Sequence, residues 1–372
     1  MKNEKVKILH ITFNLCIGGT QQVIRQIVEN SDSLRFAHQI LCIDGSLGAI
    51  GESLIEAGLH VTVYEKQPGV DYQLIKFIKS YIKEHAVDVL HCHQYTPYFY
   101  GVLGGFLTAA KIIFTEHGRF YPDRHNFKRR LINPLLSFFT DEITAISVAT
   151  ANALTRYEYL NAAKISVIYN GIKDLQDSHE SRGDLLNDLK LSNQYRYVGT
   201  VSRLEPIKNQ KMMIKAFARL KKEVSNIKLI IIGDGEIKAD LLAYVNQLGL
   251  ENDVKFTGFI NDPQRYIKLF EVFLLSSFSE GTSMTLLEAM SLSVPCLVTN
   301  VGGNPEIIID KDNGRIVPSD DSKSFAIVLK EMLADENTMG CYGQSARKQY
   351  LNKFSVCRMI SSYESLYLNC NK

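Results

Sequence analysis

The chain has 372 residues, of which 45% are hydrophobic and 22% charged, and its formal net charge is +2. This length exceeds what one typical globular core uses, so we expect two domains. The near balance of charges argues against a nucleic-acid-binding protein, because such proteins carry a clear excess of basic residues.

The first half of the sequence alternates short apolar runs with segments of helical periodicity. The runs are continuously apolar, which is typical of strands covered on both faces in a parallel sheet with crossover helices. The predicted strands are 6–13, 38–43, 60–64, 87–92, 111–115, 142–146 and 165–169.

Residues 173–194 are polar and rich in Asp and Ser, which predicts a linker and a short helix. The alternation then restarts, and the pattern from Ser322 onward is largely helical. The later predicted strands are 195–201, 227–233, 254–259, 272–276 and 295–299. We expect two doubly wound α/β lobes, over 1–175 and 190–354, with a ligand in the cleft between them.

The segment FSEGTSMTLLEAM (278–290) follows a predicted strand and carries two carboxylates, Glu280 and Glu288. Ser283 is a candidate N-cap for a helix from about Met284 to Ser291, whose free N–H groups would suit a diphosphate. The carboxylates would lie roughly 12 Å apart along the helix axis, too far to flank one glycosidic bond. The alternative is a capped surface helix with two solvated glutamates.

Two other strand-to-helix loops carry candidate ligand contacts. Arg203 and Lys208 lie in GTVSRLEPIKNQ (199–210), where two cations would neutralise a diphosphate. Gly18 and Gly19 follow the first strand and allow backbone to approach a ligand, although the pattern is not that of a dinucleotide site. The alternatives are solvated cations and a tight structural turn.

Histidines and a basic stretch complete the candidates. His91 and His93 flank Cys92, but no partner cluster is evident, so we predict no metal site. His117 also follows a strand, and a lone histidine there is more often structural. A basic stretch beside apolar residues suits an anionic membrane, the alternative being a core helix with a solvated turn. Its cations are Arg119, Arg124, Lys128, Arg129 and Arg130.

Over nearly its whole length, the chain resembles the family 4 retaining glycosyltransferases (glycosyl transferases group 1), which have the two-lobed GT-B fold. This family includes many enzymes of polysaccharide and lipopolysaccharide assembly. The matching motifs, in chain order, are Gly18-Gly19, His117, Asn170-Gly171, Arg203 with Lys208, Glu280 with Glu288, and Gly302, Gly303 and Glu306.

The resemblance implies a role for each motif. Arg203 and Lys208 would hold the donor diphosphate, Glu288 would accept hydrogen bonds from the ribose, and Glu280 would lie near the transferred sugar. His117 would face that sugar from the first lobe, and a final helix over 355–372 would cross back to that lobe. Glu280, Arg203, Lys208 and His117 are thus the candidate catalytic residues. The implied donor contacts are Gly18, Gly19, Gly258, Ile260, Gly281, Thr282, Ser283, Met284, Thr285, Leu286 and Glu288.

The resemblance also implies a reaction that retains anomeric configuration and uses no metal or other cofactor. The donor would be a nucleotide sugar, by frequency in the family a UDP-sugar, and the acceptor a glycan or lipid-linked oligosaccharide. Competing hypotheses are a nucleotide-sugar epimerase of the same fold and a non-catalytic partner subunit. The N-terminus lacks the features of a signal peptide, so we expect a cytoplasmic protein, peripheral at the inner membrane face.

Overall fold

The computed structural model of the chain describes residues 5–118, 123–176 and 180–370, without the side chain of Cys370. The chain divides into two compact units. Unit 1 comprises the described parts of Met1–Gly171 and Val356–Lys372, and unit 2 comprises those of Ile172–Ser355. The segment predicted as a linker therefore belongs with unit 2.

In the described part of unit 1, seven parallel strands form one sheet in the order β3-β2-β1-β4-β5-β6-β7. The strands are β1 (Val6–Thr12), β2 (Phe36–Cys42), β3 (His60–Val63), β4 (Val89–His93), β5 (Lys111–Glu116), β6 (Glu142–Ala145) and β7 (Ile165–Val167). The helices are α1 (Gly19–Asn30), α2 (Ala49–Glu56), α3 (Tyr72–His85), α4 (Tyr95–Gly105), α5 (Phe127–Phe138), α6 (Val148–Glu158) and α14 (Val356–Cys370). Every strand predicted for this half overlaps an observed strand.

The final helix, α14, is part of unit 1, where it packs against α1 and contacts the sheet through Tyr367. Its Tyr367 is fully buried, and the hydroxyl forms a 2.8 Å hydrogen bond with Nδ1 of His91. Its Glu364 accepts a 2.7 Å hydrogen bond from the backbone N–H of Asp32. Residues distant in the sequence therefore complete the core of this unit.

The described part of unit 2 contains a six-stranded parallel sheet in the order β10-β9-β8-β11-β12-β13. The strands are β8 (Arg196–Val201), β9 (Ile227–Ile232), β10 (Val254–Gly258), β11 (Val272–Leu275), β12 (Cys296–Thr299) and β13 (Arg315–Val317). The helices are α7 (Arg182–Asp188), α8 (Gln210–Lys221), α9 (Lys238–Gln247), α10 (Met284–Ser291), α11 (Asn304–Ile307), α12 (Ser322–Ala334) and α13 (Glu336–Gln349), and a π-helical turn covers Tyr350–Phe354.

The sequence prediction missed one strand of this sheet, β13, which pairs with β12 at the sheet edge. It has only three residues, and two of them are partly exposed, so it lacks an extended apolar run. The buried side chains of β8, β9, β11 and β12 form the centre of the unit 2 core, covered by α8 and α12. This architecture is the α/β fold predicted for each half of the chain.

Candidate active site

The candidate site in unit 2 lies at the carboxyl ends of its parallel strands. The loop after β8 carries Arg203 and Lys208, and the loop after β11 carries Glu280. Strands β8 and β11 are neighbours in the sheet although β9 and β10 lie between them in the sequence. From β8 the strands continue outward to one edge, and from β11 they continue to the other, so the strand order reverses between these two. In doubly wound sheets such a change opens a crevice for ligands at the carboxyl edge.

Lys208 and Glu280 form a direct ion pair at this edge. The Nζ of Lys208 lies 2.7 Å from Oε1 of Glu280, and the two side chains are only 20% and 8% exposed. The hydroxyl of Ser277 donates a second hydrogen bond to the same Oε1, at 2.6 Å. Because both bonds go to one oxygen, they hold the carboxylate in place without engaging Oε2.

The loop that carries Lys208 is fastened to the end of β11. Lys208 ends a short 3-10 helix, and the hydroxyl of Ser276 donates to the carbonyl oxygens of Lys208 and Asn209, at 2.8 and 3.0 Å. The N–H of Phe278 donates to the carbonyl of Ile207 at 2.8 Å. These bonds join two loops about 70 residues apart and set the geometry of the ion pair.

Arg203 lies on the same loop but does not join that ion pair. Its guanidinium is paired with Glu205 at 2.7 Å, and its side chain is 70% exposed. An exposed pair of this kind contributes about 1 kcal/mol or less. The guanidinium can therefore exchange Glu205 for a stronger anion at little cost.

Two glycines in the loop after β9 support the Arg203 segment, a role that was not predicted from the sequence. A Cβ on Gly233, whose φ is +137°, would lie 2.1 Å from the carbonyl oxygen of Ser202. A Cβ on Gly235 would lie 2.3 Å from the carbonyl oxygen of Leu204. Close backbone approach therefore requires glycine at both positions.

Gly302 supports Glu280 in the same way and explains one of the quoted motifs. Its φ is +50°, and a Cβ there would lie 1.9 Å from the carbonyl oxygen of Glu280. That carbonyl accepts a 3.1 Å hydrogen bond from the N–H of Gly303. The Gly302-Gly303 turn is thus the backbone support of the Glu280 loop.

We expect Gly302→Ala to destabilise unit 2 by about 2 kcal/mol or more and to displace Glu280, because it combines a strained φ with a backbone clash. Gly340→Ala is the matched control, since Gly340 is exposed within α13 and no described atom lies within 4 Å of its Cβ position. There the extra methyl should leave stability equal or higher by about 0.5–1 kcal/mol. Urea unfolding of both variants measures the difference, and equal stabilities would contradict this role for Gly302.

The helix predicted after Gly281 is present as α10, with the predicted bounds and N-cap. The Oγ of Ser283 accepts a 3.4 Å hydrogen bond from the N–H of Leu286. Glu288 lies within this helix, and burial raises the pKa of its carboxyl to about 8. Among the described residues, no side chain forms a hydrogen bond or ion pair with that carboxylate, which leaves it available to a ligand.

Gly258 ends β10 and Ile260 follows it, at the same edge of the sheet. The carbonyl of Gly258 accepts a 3.0 Å hydrogen bond from the N–H of Gly233, which links this segment to the loop beneath Arg203. The intervening Phe259 is 60% exposed and presents an apolar surface. The implied base-binding, diphosphate-binding and sugar-binding segments therefore all lie at one edge of unit 2.

Unit 1 carries the remaining candidates, again after strand ends. Gly18 is the N-cap of α1. Among the described residues, no side chain caps that helix and no atom lies within 4 Å of a Cβ position on Gly19. His117 follows β5, and its Nε2 forms a 2.8 Å hydrogen bond with Nδ1 of His93. Burial lowers the pKa of His117 to about 3, so its imidazole is neutral at physiological pH.

His10, His91 and His93 are close enough together to be considered as a metal site. One nitrogen from each ring lies within 4.8 Å of the others, and all three side chains are buried. Both nitrogens of each ring, however, already have hydrogen-bond partners. A metal ion would have to break those bonds, and the fit is therefore poor. His10 was not predicted to join this cluster, because it lies on β1 while His91 and His93 lie on β4.

The cations of the basic stretch differ in their exposure. Arg119 lies outside the described residues. Arg124, Lys128 and Arg130 are exposed, whereas Arg129 turns inward, pairs with the buried Glu158 and stacks over the ring of Tyr95 at 4.5 Å. The prediction of Arg129 as a membrane-facing cation was wrong, because its helical position points toward α6.

The exposed face of α5 is strongly apolar. Phe127, Leu131, Leu135 and Phe138 are between 60% and 74% exposed. Their spacing of three and four residues places them on one side of the helix. No helix among the described residues is long and apolar enough to cross a membrane.

Comparison with known proteins identifies the family of both halves. Residues 182–349 match the model of Glycosyl transferases group 1, and residues 17–174 match that of Glycosyltransferase Family 4. An Escherichia coli UDP-Gal:alpha-D-GlcNAc-diphosphoundecaprenol alpha-1,3-galactosyltransferase is 25% identical to this chain, and the alignment covers 99% of this chain and 98% of that protein.

Solved structures show the same fold. A glycosyltransferase from Rickettsia africae superposes with a TM-score of 0.88 at 18% identity, over 100% of both chains. The Anabaena protein HepE in complex with UDP and glucose superposes with a TM-score of 0.85 at 22% identity, over 98% of this chain and 100% of that one. With both family models matched across the two units, the chain belongs to the family 4, group 1 glycosyltransferases and has the GT-B fold of two Rossmann-like domains.

Proposed function

We propose that this glycosyltransferase moves a hexose or related sugar from a UDP-sugar to a glycan or lipid-linked oligosaccharide, with retention and without a metal. The observation that carries the proposal is the largely buried Lys208–Glu280 pair beside the N-terminal end of α10. The E. coli relative, named for UDP-Gal and a diphosphoundecaprenol acceptor, supports the donor and acceptor classes. The HepE complex with UDP supports the same nucleotide.

The donor diphosphate would bind where cations and backbone N–H groups converge. Lys208 is held in place, and Arg203 would exchange its exposed contact with Glu205 for a phosphate. The first N–H groups of α10 and the Gly281–Ser283 turn would donate to phosphate oxygens. Two cations and a helix end would then stabilise the departing UDP, a role that a divalent metal fills in other enzymes.

The remaining candidate residues would contact the ribose, the base and the sugar of the donor. Ribose hydroxyls would donate to a side-chain oxygen of Glu288, which forms no hydrogen bond or ion pair with another side chain in the part of the chain that the structure describes. The Gly258–Ile260 segment would contact the base. Glu280 would lie near the transferred sugar, and the candidate sugar contacts of unit 1 are the neutral His117 and the Gly18–Gly19 turn.

The proposed reaction breaks the bond between the sugar C1 and the β-phosphate oxygen and forms a bond between C1 and the acceptor oxygen. The acceptor attacks on the face from which UDP leaves, so the anomeric configuration is retained. The acceptor proton passes to a phosphate oxygen of the departing UDP. No dedicated protein base is then needed.

The proposal is tested by a donor-hydrolysis screen of UDP-, GDP- and ADP-sugars with purified protein in EDTA. We expect slow hydrolysis of one UDP-sugar, and NMR of a transfer product should show the same anomeric configuration as the donor. A strict requirement for a divalent metal or an inverted product would overturn the mechanism. Epimerised UDP-sugar formed without acceptor would favour the epimerase hypothesis.

We propose in addition that the apolar face of α5 docks on an anionic membrane, which would place the enzyme at the cytoplasmic face with its lipid-linked acceptor. The four exposed apolar side chains of this face adjoin three exposed cations, Arg124, Lys128 and Arg130. An apolar stripe bordered by cations is complementary to anionic headgroups above an acyl layer.

The double variant Lys128→Glu/Arg130→Glu should bind phosphatidylglycerol-containing vesicles at least about 30-fold more weakly, since each surface cation contributes about 1 kcal/mol. The matched control is Lys76→Glu/Lys83→Glu, which makes the same charge change at two exposed positions of α3. Vesicle sedimentation measures both variants. Equal binding by the two would remove the membrane proposal, and donor hydrolysis should be unaltered in either.

A further inference from the structure

Four histidines of unit 1 form a continuous hydrogen-bonded chain. His38 Nδ1 lies 2.9 Å from His10 Nε2, and His10 Nδ1 lies 2.9 Å from His93 Nε2. His93 Nδ1 lies 2.8 Å from His117 Nε2. This chain of histidines runs across the sheet from β2 through β1 and β4. It ends after β5 at His117, the candidate sugar contact.

Every link in this chain has the same direction, from an Nδ1 to the Nε2 of the next ring. A neutral imidazole carries one N–H and one acceptor nitrogen. Only two arrangements therefore satisfy all three links: either every ring is protonated on Nδ1, or every ring is protonated on Nε2. If one ring alone changes tautomer, the chain loses one hydrogen bond when the ring is His38 or His117 and two when it is His10 or His93.

At each end of this chain of histidines, one ring nitrogen lacks a hydrogen-bond partner among the described residues. These two atoms, His38 Nε2 and His117 Nδ1, are buried. A buried polar atom without a partner is costly, so a partner at each end would be stabilising. His91, although in ring contact with His10 and His93, bonds to Tyr367 and Thr115 and is not a member.

We propose that His38, His10, His93 and His117 form a tautomer-coupled proton relay, in which His38, His10 and His93 are positioning residues that set whether His117 Nδ1 donates or accepts. When a proton enters at His38 Nε2, each ring passes its Nδ1 proton to the next Nε2, and the proton on His117 Nδ1 leaves. One proton moves in net terms, and the four rings change from the Nδ1–H to the Nε2–H form.

The relay would let a hydroxyl at His117 Nδ1 select the state of the whole chain. A hydroxyl that donates to this nitrogen favours the Nε2–H form, and one that accepts from it favours the Nδ1–H form. The identity of that hydroxyl as part of the transferred sugar rests on the proposed function. The coupling among the four rings does not depend on it.

The first test records long-range ¹H–¹⁵N correlations of the full-length protein labelled with ¹⁵N-histidine, without ligand at pH 7. We expect the four rings to be neutral and to share one tautomer, with scalar couplings across the three N–H···N links. Unlike tautomers, a cationic member, or a metal that copurifies on His10, His91 and His93 would overturn the relay. Loss of transferase activity would not affect this result.

The second test asks whether one end senses the other. We expect His117→Phe to change the tautomer populations of His38. We expect no such change in the His10→Phe background, where the hydrogen bonds between His38 and His93 are already interrupted. His60→Phe on the adjacent β3 is the control and should leave the four rings unaltered. Unchanged tautomer populations of His38 in the His117→Phe variant would overturn the proposal. That result needs only the wild type and His117→Phe, so it can be obtained even if His10→Phe does not fold.

Discussion

Replacing either Lys208 or Glu280 with alanine is expected to lower kcat/KM for sugar transfer by about 10²–10³-fold, the usual effect of removing one group that stabilises developing charge. Lys208→Ala removes the fixed cation proposed to bind the departing diphosphate. Glu280→Ala removes both the proposed sugar contact and the group that positions Lys208. The measurement is transfer of the sugar identified in the donor screen, at saturating and limiting donor.

A purely structural role for this pair predicts a different pattern. Breaking a buried ion pair costs about 3–5 kcal/mol, whereas replacing both partners by neutral groups of similar shape can be neutral. Lys208→Met/Glu280→Gln should therefore recover most of the stability in urea unfolding but none of the activity. Recovery of activity in this double variant would contradict the proposed roles. The exposed Lys330–Glu223 pair of the same unit is the control, and its alanine variants should have normal activity.

Acidification should unfold unit 1 before unit 2. Burial lowers the pKa of His38 to about 4 and of His117 to about 3, and burial also places the pKa values of His10, His91 and His93 well below 6.5. The unfolded chain therefore binds more protons below pH 6.5, and the free energy of unfolding falls as the pH drops. Each imidazole contributes at most about 1.4 kcal/mol per pH unit.

Within the described part of unit 1, two acidic groups oppose this trend without cancelling it. Burial raises the pKa of Glu116 to about 8 and also raises that of Glu158, so their protonation favours the folded state in acid. Five histidines outweigh two carboxyls. Unit 2 contains a single histidine in its sequence, His179, and its Glu288, whose pKa is raised to about 8 by burial, acts in the opposite direction.

Hydrogen-exchange protection factors at pH 7 and pH 5 measure this difference. Peptides from β1 and β4 should lose at least about tenfold more protection than peptides from β8 and β9, since a single buried imidazole contributes up to a tenfold change per pH unit. The two units serve as controls for each other within one sample. Equal losses in both units would show that the buried histidines do not govern acid stability.

Much of the fold followed from local sequence patterns. The continuous apolar runs predicted the buried strands, because strands covered on both faces need no polar alternation. Ser283 and the apolar spacing after it predicted α10 with its observed bounds, because capping and periodicity are local properties. The three-residue β13 was missed, because its pairing with β12 creates a strand that its own residues do not specify.

The sequence also placed Arg203, Lys208 and Glu280 at strand ends, but not their actual partners. Side-chain direction within a loop depends on the backbone that supports it, here the close contacts of Gly233, Gly235 and Gly302. Lys208 consequently meets Glu280, while Arg203 meets its neighbour Glu205. The inward turn of Arg129 has the same origin, because its partner Glu158 belongs to another helix.

By itself, the sequence determined the α/β class, the division into two halves and the order of the motifs, because these depend on interactions between residues close in the chain. Only the tertiary structure decided which histidines meet. The parallel register places His10 opposite His91, and the two-residue repeat of a strand puts His93 on the same face as His91. Register between strands distant in sequence is fixed by packing of the whole core, which no local pattern encodes.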